Sequence, residues 1–110
     1  MTRSSALILA LASLAAACGQ LLFRAGAADR VALADFLNLR IGAGLALYAL
    51  GTALWIYALS KERLVVVYAF SALTFALVYL GGAVLLREPL GARGIAGVLV
   101  VLAGLYLIAT

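Results

Sequence analysis

The sequence predicts an all-α integral membrane protein with four transmembrane helices, and three observations carry that prediction. Of its 110 residues, 68% are hydrophobic and 11% charged, against about 25% charged in an ordinary soluble domain. The charged residues (Arg3, Arg24, Asp29, Arg30, Asp35, Arg40, Lys61, Glu62, Arg63, Arg87, Glu88 and Arg93) all fall between or beside long apolar runs. Those runs lack the polar and apolar alternation of membrane β-barrel strands.

Four runs follow one another, at about residues 6–23, 41–60, 64–86 and 94–110. A helix rising 1.5 Å per residue needs about 20 apolar residues to cross a hydrocarbon core about 30 Å thick. Each run meets or nearly meets that length, so residues 1–110 read as one four-helix transmembrane domain. In the first run, Arg3 and the string Ala15-Ala16-Ala17-Cys18 faintly suggest a cleaved signal. The apolar run continues through Leu21, Leu22 and Phe23, so this segment reads as a retained span.

The connections are short. Lys61-Glu62-Arg63 forces the second and third spans into an antiparallel hairpin. The next turn contains Pro89, whose missing N–H suits a helix beginning. The longest link, 24–40, interleaves Val31, Leu33, Ala34, Phe36 and Leu37 with Asp29, Arg30, Asp35 and Asn38, and predicts a short interfacial helix.

Composition excludes several chemistries. A single Cys permits no internal disulfide and no thiolate cluster, and the lack of His removes imidazole catalysis and ligation. The chain has no Walker loop, no dinucleotide fingerprint and no basic face interleaved with aromatics. No enzyme, metal, cofactor or nucleic-acid partner is expected. Orientation is weakly specified. Arg3, Lys61 and Arg63 lie on one side, and Arg24, Arg30, Arg40, Arg87 and Arg93 on the other. Basic residues favour the cytoplasm, which puts both termini outside, but by a margin thin enough to permit insertion both ways.

Polar, aromatic and glycine positions distinguish the helix faces. Ser13, Ala16, Gln20 and Arg24 share a face of the first span. Gln20, the only carboxamide within a span, needs an interhelical bond or a wet cavity. Arg24 snorkels toward the interface, within reach of a lipid phosphate. The second span aligns Tyr48, Thr52 and Trp55; the third aligns Tyr68, Ser71, Phe75 and Tyr79, with Thr74 nearby. Tyr57, Tyr79 and Tyr106 read as interface anchors, Tyr48 and Tyr68 as lining. Gly44 and Gly51, like Gly97 and Gly104, stand seven residues apart. Such small-residue stripes let helices approach closely in lipid, within one chain or between two. No acid or base falls mid-span.

Together, Gly19-Gln20 followed by Arg24, then Trp55, Tyr68, Glu88-Pro89, Gly97 and Gly104 form an ordered pattern. It resembles the four-helix members of the drug/metabolite transporter superfamily, comprising EamA-type half-transporters and small multidrug resistance proteins. Within that group it is most similar to the subunits that flip 4-amino-4-deoxy-L-arabinose-phosphoundecaprenol across the inner membrane of bacteria. The string Ala12-Ser13-Leu14 before Gly19-Gln20-Leu21 strengthens that likeness.

The resemblance implies an antiparallel dimer enclosing a cavity made by the first three helices, with the fourth making the dimer contact through Gly97 and Gly104. It leaves open a homodimer or a heterodimer with a related four-helix subunit. Small multidrug resistance proteins carry an acid where this chain has Ala16, which argues against proton-coupled export of cationic drugs. The expected activity is therefore flipping of an undecaprenyl-phosphate-linked sugar by alternating access. Gln20, Tyr48, Trp55, Tyr68, Ser71 and Thr74 are expected to meet the sugar, and Arg24 the phosphate. Export of a small metabolite or drug is the alternative, as is a non-transporting subunit that stabilises a partner.

Overall fold

The computed structural model describes residues 2–28 and 33–109. Among them every regular element is helical. Helix α1 (Arg3–Ala27) is followed by a 3-10 turn (Leu33–Phe36) and by α2 (Leu39–Leu59), then by α3 (Leu64–Ala69), α4 (Ser71–Leu85) and α5 (Ala92–Ala109). The helices Arg3–Ala27, Leu39–Leu59, Leu64–Leu85 (α3 with α4) and Ala92–Ala109 are each long and apolar enough to cross a membrane.

Helix α1 extends beyond the apolar run at both ends. Thr2 caps it, accepting from the Ser5 N–H at 3.1 Å, and Arg24 lies in its last turn, where a cation favours the helix dipole. Charge ends an apolar run but not a helix, so residues 6–23 underestimate it. Asn38 caps α2 by accepting from the Ile41 N–H at 3.1 Å, while its amide donates to the Gly26 and Asp35 carbonyls. One side chain thus ties the end of α1 to the start of α2. The link holds a single 3-10 turn where an interfacial helix was expected, and residues 29–32 of that expected helix lie outside the described residues.

The third span is broken at Phe70, where one continuous helix over 64–86 was expected. The Phe70 N–H reaches back three residues to Val67, and the Phe70 carbonyl accepts from the Leu73 and Thr74 N–H groups. The fully buried Ser13 hydroxyl donates to the same carbonyl at 3.2 Å. A side chain bonded to a helix carbonyl is a recognised cause of such breaks.

Ser5 donates to Glu62 at 3.4 Å, and Arg24 lies 3.7 Å from Glu88. The start of α1 therefore shares one end of the bundle with the α2–α3 turn, and the end of α1 shares the other with the α4–α5 turn. A core of Leu9, Ala58, Val67 and Phe70 sits toward the first of these ends, with Ile8, Trp55 and Leu105 packed on it. Every span exposes large apolar side chains, such as Leu11, Leu50, Val84 and Val100, as a lipid-facing surface requires.

Candidate functional site

The closest helix contact places the site. Gly19 and Gly44 bring α1 and α2 backbone to backbone, and Gly51 packs on the Ala12 carbonyl. Close approach of this kind is what small residues permit between helices in a bilayer. The paired helices then present Ala12, Ala16 and Gln20 beside Tyr48, Thr52 and Trp55, with each set recurring every three or four residues along one helix face.

Opposite them, Tyr68 on α3 and Ser71, Thr74, Phe75 and Val78 on α4 complete an open cavity of about 580 Å³. Gln20, Tyr48, Trp55, Tyr68, Ser71 and Thr74, assigned above to the sugar, all line it. Among the described residues no carboxylate, ammonium or guanidinium does. Trp55 and Tyr68 meet edge to face, with ring centroids 6.5 Å apart and planes at 83°. The break at Phe70 lies between Tyr68 and Ser71, two of the lining residues.

The lining offers neutral hydrogen-bonding groups and aromatic faces. The Thr52 hydroxyl is occupied, donating to the Tyr48 carbonyl at 2.9 Å. Such an arrangement suits a polar, uncharged group with hydroxyls and apolar ring faces, which is the chemistry of a sugar.

Arg24 stands apart from the lining. Its Nε lies 3.7 Å from Glu88 Oε2, with 59% and 48% of the two side chains exposed. A pair this exposed contributes at most about 1 kcal/mol after solvent screening, so the guanidinium remains exchangeable. Glu88 reaches Arg24 because Arg87 adopts a left-handed turn (φ 56°) and the Leu86 and Glu88 N–H groups both close onto the Gly82 carbonyl.

The glycine stripes divide by role. A Cβ on Gly97 or Gly104 would meet nothing within 4 Å, whereas Gly44 and Gly51 face α1 at close range. Among the described residues of α5, only Val98 is buried. Tyr79 packs its hydroxyl over Gly94 of α5 and stacks with Phe75. Ser13 is withdrawn from the polar face of α1 by its bond to Phe70. Sequence reasoning left Ala12, Ala16, Gly51, Thr52, Phe75 and Val78 out of the site, although it had aligned Ala16, Thr52 and Phe75 with residues that belong to it. Only the spacing of Ala12 and Ala16 before Gln20 signalled the first, and nothing distinguished Val78 from its apolar neighbours.

No family model matches the sequence, and no solved structure matches it. Over 70 residues, 62% of this chain and 48% of the relative, it is 40% identical to a protein of Shewanella sediminis. That protein is named "Probable 4-amino-4-deoxy-L-arabinose-phosphoundecaprenol flippase subunit ArnF". The similarity is to a flippase subunit. This chain spans about half the length of that curated relative. Four apolar helices of spanning length, together with this likeness, support a multi-pass membrane protein.

Proposed function

We propose that the chain is a subunit of an inner-membrane flippase that carries a polyprenyl-phosphate-linked sugar across the bilayer. The observation that carries this reading is the uncharged, partly aromatic lining of the cavity. A bare sugar phosphate is too costly to move through hydrocarbon. Gln20, Ser71 and Thr74 supply neutral hydrogen bonds to the sugar, Tyr48, Trp55 and Tyr68 supply ring faces, and the lipid chain stays outside. A cation or a coupling proton finds no charged partner among these residues. The similarity to ArnF supports a polyprenyl-phosphate-linked sugar, although among the described residues this lining offers no carboxylate to the 4-amino group named in that protein's substrate.

The reading includes an assembly. The cavity is open, and a Cβ on Gly97 or Gly104 of α5 would meet nothing within 4 Å among the described residues. Gly97 and Gly104 serve as the contact with a second four-helix subunit, either a copy of this chain or a related one. In an antiparallel pair, alternating access arises from exchange of shape between two inverted halves. Each half then offers its own Arg24 to the phosphate, one at each membrane surface.

The test is translocation of a fluorescent polyprenyl-phosphate sugar in proteoliposomes. Gln20→Ala and Arg24→Ala each lower the rate at least tenfold, about 1.4 kcal/mol of barrier, while the protein still elutes as a folded species. Wild-type rates for both variants would reject the site. Competition by a soluble sugar or drug would instead favour export of a small molecule.

A further inference from the structure

A second concavity lies across the α1–α4 seam from the cavity. Its volume is about 380 Å³, and among the residues lining it are Leu14, Cys18 and Leu21 of α1 and Leu77, Gly81 and Leu85 of α4, all of them apolar. Ser13 and Ala17, both buried, fill the seam between the groove face of α1 and its cavity face. The two faces converge at Arg24, which lies one helical turn beyond both Gln20 and Leu21. The α4 side of the groove likewise runs out at Leu85, just before Glu88. The Arg24–Glu88 pair therefore lies just beyond the last lining residues of the groove, although neither side chain lines it.

We infer that this groove seats the hydrocarbon chain of the lipid-linked substrate, with its phosphate on Arg24 in place of Glu88 and its sugar on the cavity side of the seam. The inference rests on the flippase reading above and adds where the chain lies and what the phosphate displaces. Charge complementarity selects the occupant. An apolar track ending in a guanidinium fits a long chain that carries its anion at one end. Glu88 approaches Arg24 at 3.7 Å, beyond hydrogen-bonding distance. Glu88 makes one long approach through Nε, whereas a phosphate free to move over the guanidinium can take it in bidentate fashion and so displaces the carboxylate. From Leu14 to Leu21 the groove is about 10 Å long, room for the first part of one chain. It lies between just two helix stripes, so the paired chains of a phospholipid have to splay to use it.

Cys18 is the only cysteine in the sequence and lines the groove, so it reports occupancy. The rate of its alkylation by monobromobimane is measured on the detergent-solubilised chain with undecaprenyl phosphate, phosphatidylglycerol or inorganic phosphate added. Undecaprenyl phosphate is expected to slow alkylation at least about fivefold at saturation, and the other two leave it unchanged. Arg24→Gln abolishes the protection. Glu88→Gln, which removes the competitor, lowers the concentration needed for half protection. No slowing by undecaprenyl phosphate, equal slowing by phosphatidylglycerol, or protection indifferent to both substitutions would overturn the inference. Translocation measured on the same preparation separates the two claims. Flipping without protection discards the groove and leaves the function; protection without flipping discards the function and leaves the groove.

Discussion

Gly19 and Gly44 hold α1 and α2 in backbone contact: a Cβ on Gly19 would stand 2.8 Å from the Gly44 carbonyl oxygen, and one on Gly44 would stand 2.9 Å from that of Gly19. Neither helix can yield without opening the face that presents Gln20 beside Tyr48. Gly44→Ala is therefore expected to destabilise the fold by about 1–3 kcal/mol, the usual cost of overpacking. Gly97→Ala, with open space around it, leaves stability unchanged or raises it by up to about 1 kcal/mol through helix propensity. Thermal unfolding of both variants in one detergent checks the contrast.

The α5 stripe gives a different prediction. Gly97→Leu and Gly104→Leu place bulk where this chain has nothing within 4 Å, so the isolated fold persists. The dimer fraction falls at least about tenfold, as measured by light scattering or chemical cross-linking in mild detergent. A dimer that survives both substitutions places its interface elsewhere.

Ser13 and Phe70 predict a small effect with a clear sign. Ser13→Ala removes one interhelical hydrogen bond, worth about 0.6 kcal/mol in membrane proteins, while the Phe70 carbonyl keeps its bonds from Leu73 and Thr74. Ser13→Leu forces a larger side chain into a site that is 0% exposed and lowers stability by about 1–3 kcal/mol. Chemical denaturation of the two variants separates the bond from the space.

Asn38 joins the end of α1 to the start of α2. Asn38→Ala is expected to cost about 1 kcal/mol, from the lost cap and the lost bond to Gly26. Hydrogen exchange at the Ile41 amide then quickens while exchange deep in α2 stays unchanged.

The spans were legible in the sequence because charge segregates from apolar runs, and hydropathy responds to that directly. Their ends were not: Arg3 and Arg24 are charged yet helical, so the apolar count stopped short of α1. The break at Phe70 was invisible because the hydroxyl bonded to its carbonyl belongs to Ser13, fifty-seven residues away. Polar and aromatic lining residues stood out against an apolar background, which is why Gln20, Tyr48, Trp55, Tyr68, Ser71 and Thr74 were singled out. Ala12 and Val78 have no such contrast. The pairing of Arg24 with Glu88 depends on the left-handed turn at Arg87, a backbone feature that residue type did not announce.

The most direct measurement is the mass of lipid retained by the protein after purification in mild detergent, by native mass spectrometry. A polyprenyl-phosphate sugar that copurifies with the wild-type chain, and is lost from Gln20→Ala and Tyr68→Ala, is the predicted result. Ordinary phospholipid alone, or retention of the same lipid by both variants, would contradict a cavity built for that cargo.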